Sequence, residues 1–140
     1  MSELQHMLND GVRFDPHYLP DLNSDHLPMT LCAMSGLGAS TSTLHAFRDS
    51  YMLRLRPVEG APAIENWRDA IGDASAYDPL RVLLLEQVER LGISALVRQY
   101  LPEFSDSIAL EAFHPLIRLG YAIDFESPVE TAAALAYLIT

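Results

Sequence analysis

Nowhere in this chain do apolar and polar residues alternate with period two between turn signals, and wherever a pattern can be read it is helical. Leu44, Phe47, Tyr51 and Leu55 fall at i, i+3, i+7 and i+11, the stripe of an amphipathic helix. Ser127-Pro128-Val129-Glu130 is a capping box with proline at the first helical position, and it starts a helix still running at Thr140. Asp25 or Ser24 can cap a helix from His26 to about Ser35, with Pro28 in its first turn and Gly36 and Gly38 behind it. Further helices are expected at about Glu3–Asn9, around Trp67, over Pro79–Leu91, on to Tyr100, and from Ser105 or Asp106 to about Ile123. The segment VRFDPHYLPDLNSD, with Pro16 and Pro20, reads as an extended arm. The expected fold class is all-α: a single compact multi-helix domain over residues 1–140 of about seven helices, residues 1–24 forming an N-terminal helix and arm.

Composition removes whole classes of function. A net charge of −10 repels phosphate backbones and anionic lipid surfaces, so the chain is expected to bind no nucleic acid and no membrane. All 9 basic residues are arginine. Without lysine there is no Schiff-base or P-loop chemistry. The single Cys32 cannot form an internal disulfide or a cysteine-rich metal site, and at helical spacing behind His26 it reads as a buried thiol. No run reaches the ~18 apolar residues of a membrane span, and no basic region precedes the first apolar residues, so a cytoplasmic location is expected. Gly36-Leu37-Gly38-Ala39-Ser40-Thr41 approaches a dinucleotide fingerprint but follows a helix, and no G-x-S-x-G, H-E-x-x-H or P-loop occurs.

Two histidines stand out. His26 and His114 each sit at or inside an apolar helix, where an unpaired imidazole would cost about 1–3 kcal/mol. On the helix expected to run to about Ile123, Glu111, His114, Arg118 and Tyr121 share a sector of about 80°. That polar stripe on an apolar helix points either to a site or to a buried network in which Glu111 and Arg118 pair and His114 bonds a backbone carbonyl. Arg118 is expected to be buried against Glu111 or an acid of the N-terminal arm. His6, His17 and His45 are set aside as solvated or satisfied in the core.

The runs SDHLPM, LCAMSGLGAS, LHAFRDSYMLRL, LVRQYLPEF and AFHPLIRLGYA, in this order and spacing, resemble the questin oxidase-like family over about Tyr18 to Tyr137. That resemblance implies an oxygenase-type oxidoreductase acting on an aromatic polyketide-like or other apolar small molecule. Fungal members are associated with Baeyer–Villiger-type opening of anthraquinone rings, with dioxygen and reduced nicotinamide. Carried onto this chain, it implies His26 and His114 as site residues converging on one ligand. Non-haem iron would then need Glu111 or another group as a third donor. Arg118 and Tyr121 become the candidate catalytic groups, Arg118 stabilising an anionic oxygen and Tyr121 donating a proton or hydrogen bond. Fungal members often carry a second histidine where this chain has Tyr121. The alternative is a non-catalytic helical binding or assembly module that keeps the scaffold. A homodimer through the last helix is also expected, because Val129, Ala132, Ala133, Ala136, Tyr137 and Ile139 would otherwise leave an apolar surface bare.

Overall fold

The computed structural model describes residues 1–18, 23–106 and 109–140, and among them are seven α-helices and one two-stranded antiparallel pair. The all-α expectation is met. By internal contacts the chain divides into two compact units, residues 1–58 and 59–140.

In the first unit, α1 (Glu3–Gly11) is capped by the Ser2 hydroxyl, which accepts the Gln5 amide, and α2 (Leu27–Gly36) and α3 (Thr41–Met52) pack against it. The core is built from Leu4, Met7, Leu8, Leu27, Leu31 and Leu44, and Cys32 is buried beside them as expected. Gly38, at φ 84°, ends the α2 turn in a conformation only glycine adopts without strain. The arm is not wholly extended coil. His17–Tyr18 (β1) pairs with Asn23–Ser24 (β2), two residues each and too short to register as an alternation. The part of the expected arm around Pro20 lies outside the described residues.

In the second unit, α4 (Tyr77–Leu91) and α5 (Ile93–Tyr100) are joined at Gly92, whose φ of 83° turns the chain without a loop. Asp78 stands inside the first turn of α4, bonded to Arg81, and is not its cap. Then come α6 (His114–Asp124) and α7 (Pro128–Ile139). Ser127 caps α7 as expected, its hydroxyl accepting the Glu130 amide at 3.3 Å.

α7 lies between α4 and α6, and every residue from Glu130 to Ile139 is buried within the chain itself. A helix apolar all round belongs at the centre of its unit. The apolar surface on which a dimer through α7 was expected is therefore already covered. No helix among the described residues is long and apolar enough to cross a membrane.

Candidate functional site

His26 belongs to the first unit and His114 to the second, and each has its own surroundings. His26 is the residue before α2, at φ −98° and ψ 1°, in the sparsely populated bridge region. Its neighbours carry the capping. The buried Asp25 accepts the Leu27 amide on Oδ1 at 2.8 Å, and the Asp25 amide donates to the Pro16 carbonyl at 2.8 Å. The imidazole makes no capping bond and the residue is exposed. The His26 amide donates to the Tyr51 hydroxyl on α3, at 3.1 Å. Tyr51 meets the Tyr18 ring edge-on at 6.3 Å and the Phe47 ring at 5.5 Å. Burial lifts the Tyr51 hydroxyl well above the ordinary tyrosine range, and its hydrogen bond with Tyr18 adds to the effect.

Around His114 the structure departs from the helical wheel. Glu111, Ala112 and Phe113 have φ of 50°, 50° and 65°, left-handed conformations that break any helix running into α6. α6 begins at His114 itself, with Pro115 in its first turn. The expected stripe is thereby shortened: His114, Arg118 and Tyr121 share a face of α6, and Glu111 stands outside the helix, exposed. The Glu111 contribution is its main chain, because His114 Nδ1 lies 2.5 Å from the Glu111 carbonyl oxygen. A carbonyl only accepts, so Nδ1 carries the proton, and a neutral ring presents its lone pair on Nε2. The backbone-carbonyl bond expected of His114 is observed.

Arg118 is buried and paired, as expected, but not with Glu111 or the arm. Its Nε and a terminal nitrogen donate to the two oxygens of Glu130 on α7, at 2.8 and 3.2 Å, and both side chains are 2% exposed. The reason lies in the cap. In a full capping box the Glu130 carboxylate would return to the Ser127 amide, but that amide donates to the Ala122 carbonyl at 2.9 Å. The carboxylate turns instead to the guanidinium, whose planar fork matches it. Tyr121 is half-buried one turn beyond.

No group of three or more His, Cys, Asp or Glu side chains is placed to hold a metal ion among the described residues. Beside Glu111 and Pro115 lies a pocket of about 210 Å³, walled by Phe104, Ile71 and Tyr137. That is below the ~300–1,000 Å³ usual for drug-sized ligands. A more open groove of about 440 Å³ runs past Leu91, Ile93, Arg98 and Ile123 in the second unit, and His114 is not part of its wall.

Sequence reasoning missed Tyr51 and Tyr18 at the His26 end. Tyr51 sits in the apolar stripe of α3, where helical periodicity accounts for it without its hydroxyl. A hydroxyl in an apolar stripe was the available signal, since a buried phenol needs a partner.

Residues 23–140 match the family model described as questin oxidase-like, a span that contains both histidine motifs. Among curated proteins, a Baeyer-Villiger oxidase of Pestalotiopsis microspora is 28% identical over 141 aligned positions, covering 85% of this chain and 30% of that protein. The chain thus spans about 30% of the length of the curated relative it matches.

Proposed function

The chain belongs to the questin oxidase-like family, and from that premise we propose that it forms part of an oxidoreductase that inserts oxygen beside a carbonyl of an aromatic, polyketide-like molecule. The observation that carries this reading is the family match across both histidine motifs, supported by the likeness to a Baeyer-Villiger oxidase. In such a reaction a ketone, dioxygen, reduced nicotinamide and a proton give an ester, water and oxidised nicotinamide. One oxygen atom enters between the carbonyl carbon and its ring neighbour. The residues we assign to the reaction are the histidines of the two motifs, His26 and His114. The half-buried Tyr121 hydroxyl donates to oxygen as negative charge develops there. Arg118 takes a different part from the one its residue type suggests. Buried against Glu130, it holds α6 on α7 and so fixes His114 and Tyr121, while the anion-stabilising role passes to Tyr121.

The test is turnover of a hydroxyanthraquinone by the purified chain with reduced nicotinamide under air. Oxygen uptake should match nicotinamide oxidation, and the product should gain one oxygen atom. His26→Ala and His114→Ala should each lower the rate about 100-fold. Metal analysis of the same sample decides the iron question: stoichiometric iron would support a metal centre with His26, His114 and Glu111 as its candidate donors.

The second reading is a non-catalytic helical binding or assembly module that keeps the family scaffold. Binding of the anthraquinone with no oxygen uptake would select it.

A further inference from the structure

We propose that Tyr51 is a positioning residue for His26, acting through the main chain, with Tyr18 and Phe47 holding its phenol in place. The inference rests on the reading of His26 as a site residue. Three successive backbone amides meet at this point, and each has a different kind of acceptor. The Asp25 amide reaches the Pro16 carbonyl, the Leu27 amide reaches the Asp25 carboxylate, and the His26 amide between them reaches a hydroxyl 25 residues further on. The His26 carbonyl is fixed as well, accepting the Thr30 amide at 2.9 Å. Every backbone group that sets the direction of the His26 side chain is therefore tied down, at a φ and ψ the chain does not favour by itself.

A cap normally consumes the side chain of the residue that provides it. Here Asp25 takes the Leu27 amide, so the imidazole is spared that work and stays exposed. What remains to be held is the His26 amide, and the phenol reaches it from α3. The phenol is itself restrained, since Phe47 and Tyr51 stand one turn apart on α3 with rings 5.5 Å apart, and Tyr18 both bonds the hydroxyl and meets the ring edge-on. Removing the oxygen alone would leave the ring packing unchanged and take away the acceptor. Packing and positioning are thus separable by one atom.

The experiment compares full-length wild type, Tyr51→Phe and Tyr18→Phe by NMR, following the His26 amide and the His26 ring Cε1–H resonance, with His6 and His45 as internal references. In Tyr51→Phe the His26 amide should exchange about tenfold faster, the factor expected for one lost hydrogen bond. The His26 ring resonance should shift or split while those of His6 and His45 stay in place. Tyr18→Phe, which removes only the partner of the phenol, should move His26 in the same direction by less, and it decides the matter if Tyr51→Phe does not fold. His26 signals superimposable on wild type, or equal movement of all three histidines, would overturn the proposal. None of these readings needs turnover. A wild type that fails to oxidise its substrate while His26 responds to Tyr51→Phe sinks the oxidase reading alone, and an active wild type with an unresponsive His26 sinks the positioning role alone.

Discussion

Replacing Glu130 by glutamine should cost the second unit far more than a surface ion pair could. The substitution keeps the shape of the side chain and the amide that Ser127 caps, and removes only the charge facing Arg118. At 2% exposure on both sides the guanidinium would be left charged and desolvated, the situation in which breaking a pair costs about 3–5 kcal/mol. Coulomb attraction alone gives a similar figure, about 4 kcal/mol at ~4 Å and an effective dielectric near 20. With a urea dependence of about 2 kcal/mol per molar, the unfolding midpoint should fall by about 2 M. The chain's single tryptophan, Trp67, makes the assay simple. It lies in the second unit, its ring 5.2 Å from that of Tyr100 and 5.8 Å from that of Phe104, so its fluorescence follows that unit. Arg118→Met with Glu130→Leu should recover most of the loss, because burial of two apolar groups replaces burial of two charges. A Glu130→Gln cost under about 1 kcal/mol, the range of solvated pairs, would show that water reaches the pair and that α6 is not held by it.

Ser127→Ala removes the acceptor for the Glu130 amide at the buried start of α7, and urea unfolding should show a loss of about 1–2 kcal/mol. Asp25→Ala should cost about as much in the first unit, since the Leu27 amide loses its 2.8 Å acceptor, and circular dichroism at 222 nm should register the earlier melting of that unit. Burial raises the Tyr100 hydroxyl above its ordinary range, and that hydroxyl donates to the Gln87 side-chain oxygen at 2.7 Å. The folded state therefore holds that proton more tightly than the unfolded one, so stability is full below the unfolded value of about 10 and declines as pH rises through the folded value. Trp67-monitored urea midpoints should fall above about pH 10 in wild type and fall less in Tyr100→Phe.

What could be read from the sequence was local. The α7 capping box, the α3 stripe and the glycine that ends α2 are decided by neighbours within a turn, and each helix appears where those residues put it. Reciprocity failed where a third segment intervened. Ser127 and Glu130 announce a cap, but nothing near them says that the Ala122 carbonyl takes the Ser127 amide and so releases the carboxylate to Arg118. The wheel that grouped Glu111 with His114 assumed one helix through residues 111–121. Pro115 marked the true start, since proline is at home in a first turn, and three left-handed non-glycine residues have no signature in sequence. The surface expected on α7 was misjudged for a different reason. Ala132, Ala133, Ala134 and Ala136 face several sides of the helix, and small apolar residues on several sides announce a helix hemmed in by close neighbours. Of the candidate site, the histidine motifs were visible because the family is recognisable in them, while Tyr51 and Tyr18 come to His26 through tertiary structure alone.

The central place of α7 also sets an order of assembly on the ribosome. Its principal partners α4 and α6 both precede it, and α4 ends more than a third of the second unit before α7 begins. At a synthesis rate of about 5–20 residues per second, α4 spends seconds outside the exit tunnel with the face meant for α7 uncovered. The helices α1, α2 and α3 face no such delay, because they meet one another within the first 58 residues. The nascent chain is therefore most open to chaperone capture, or to association with its neighbours on a polysome, during the interval between the emergence of α4 and that of α7.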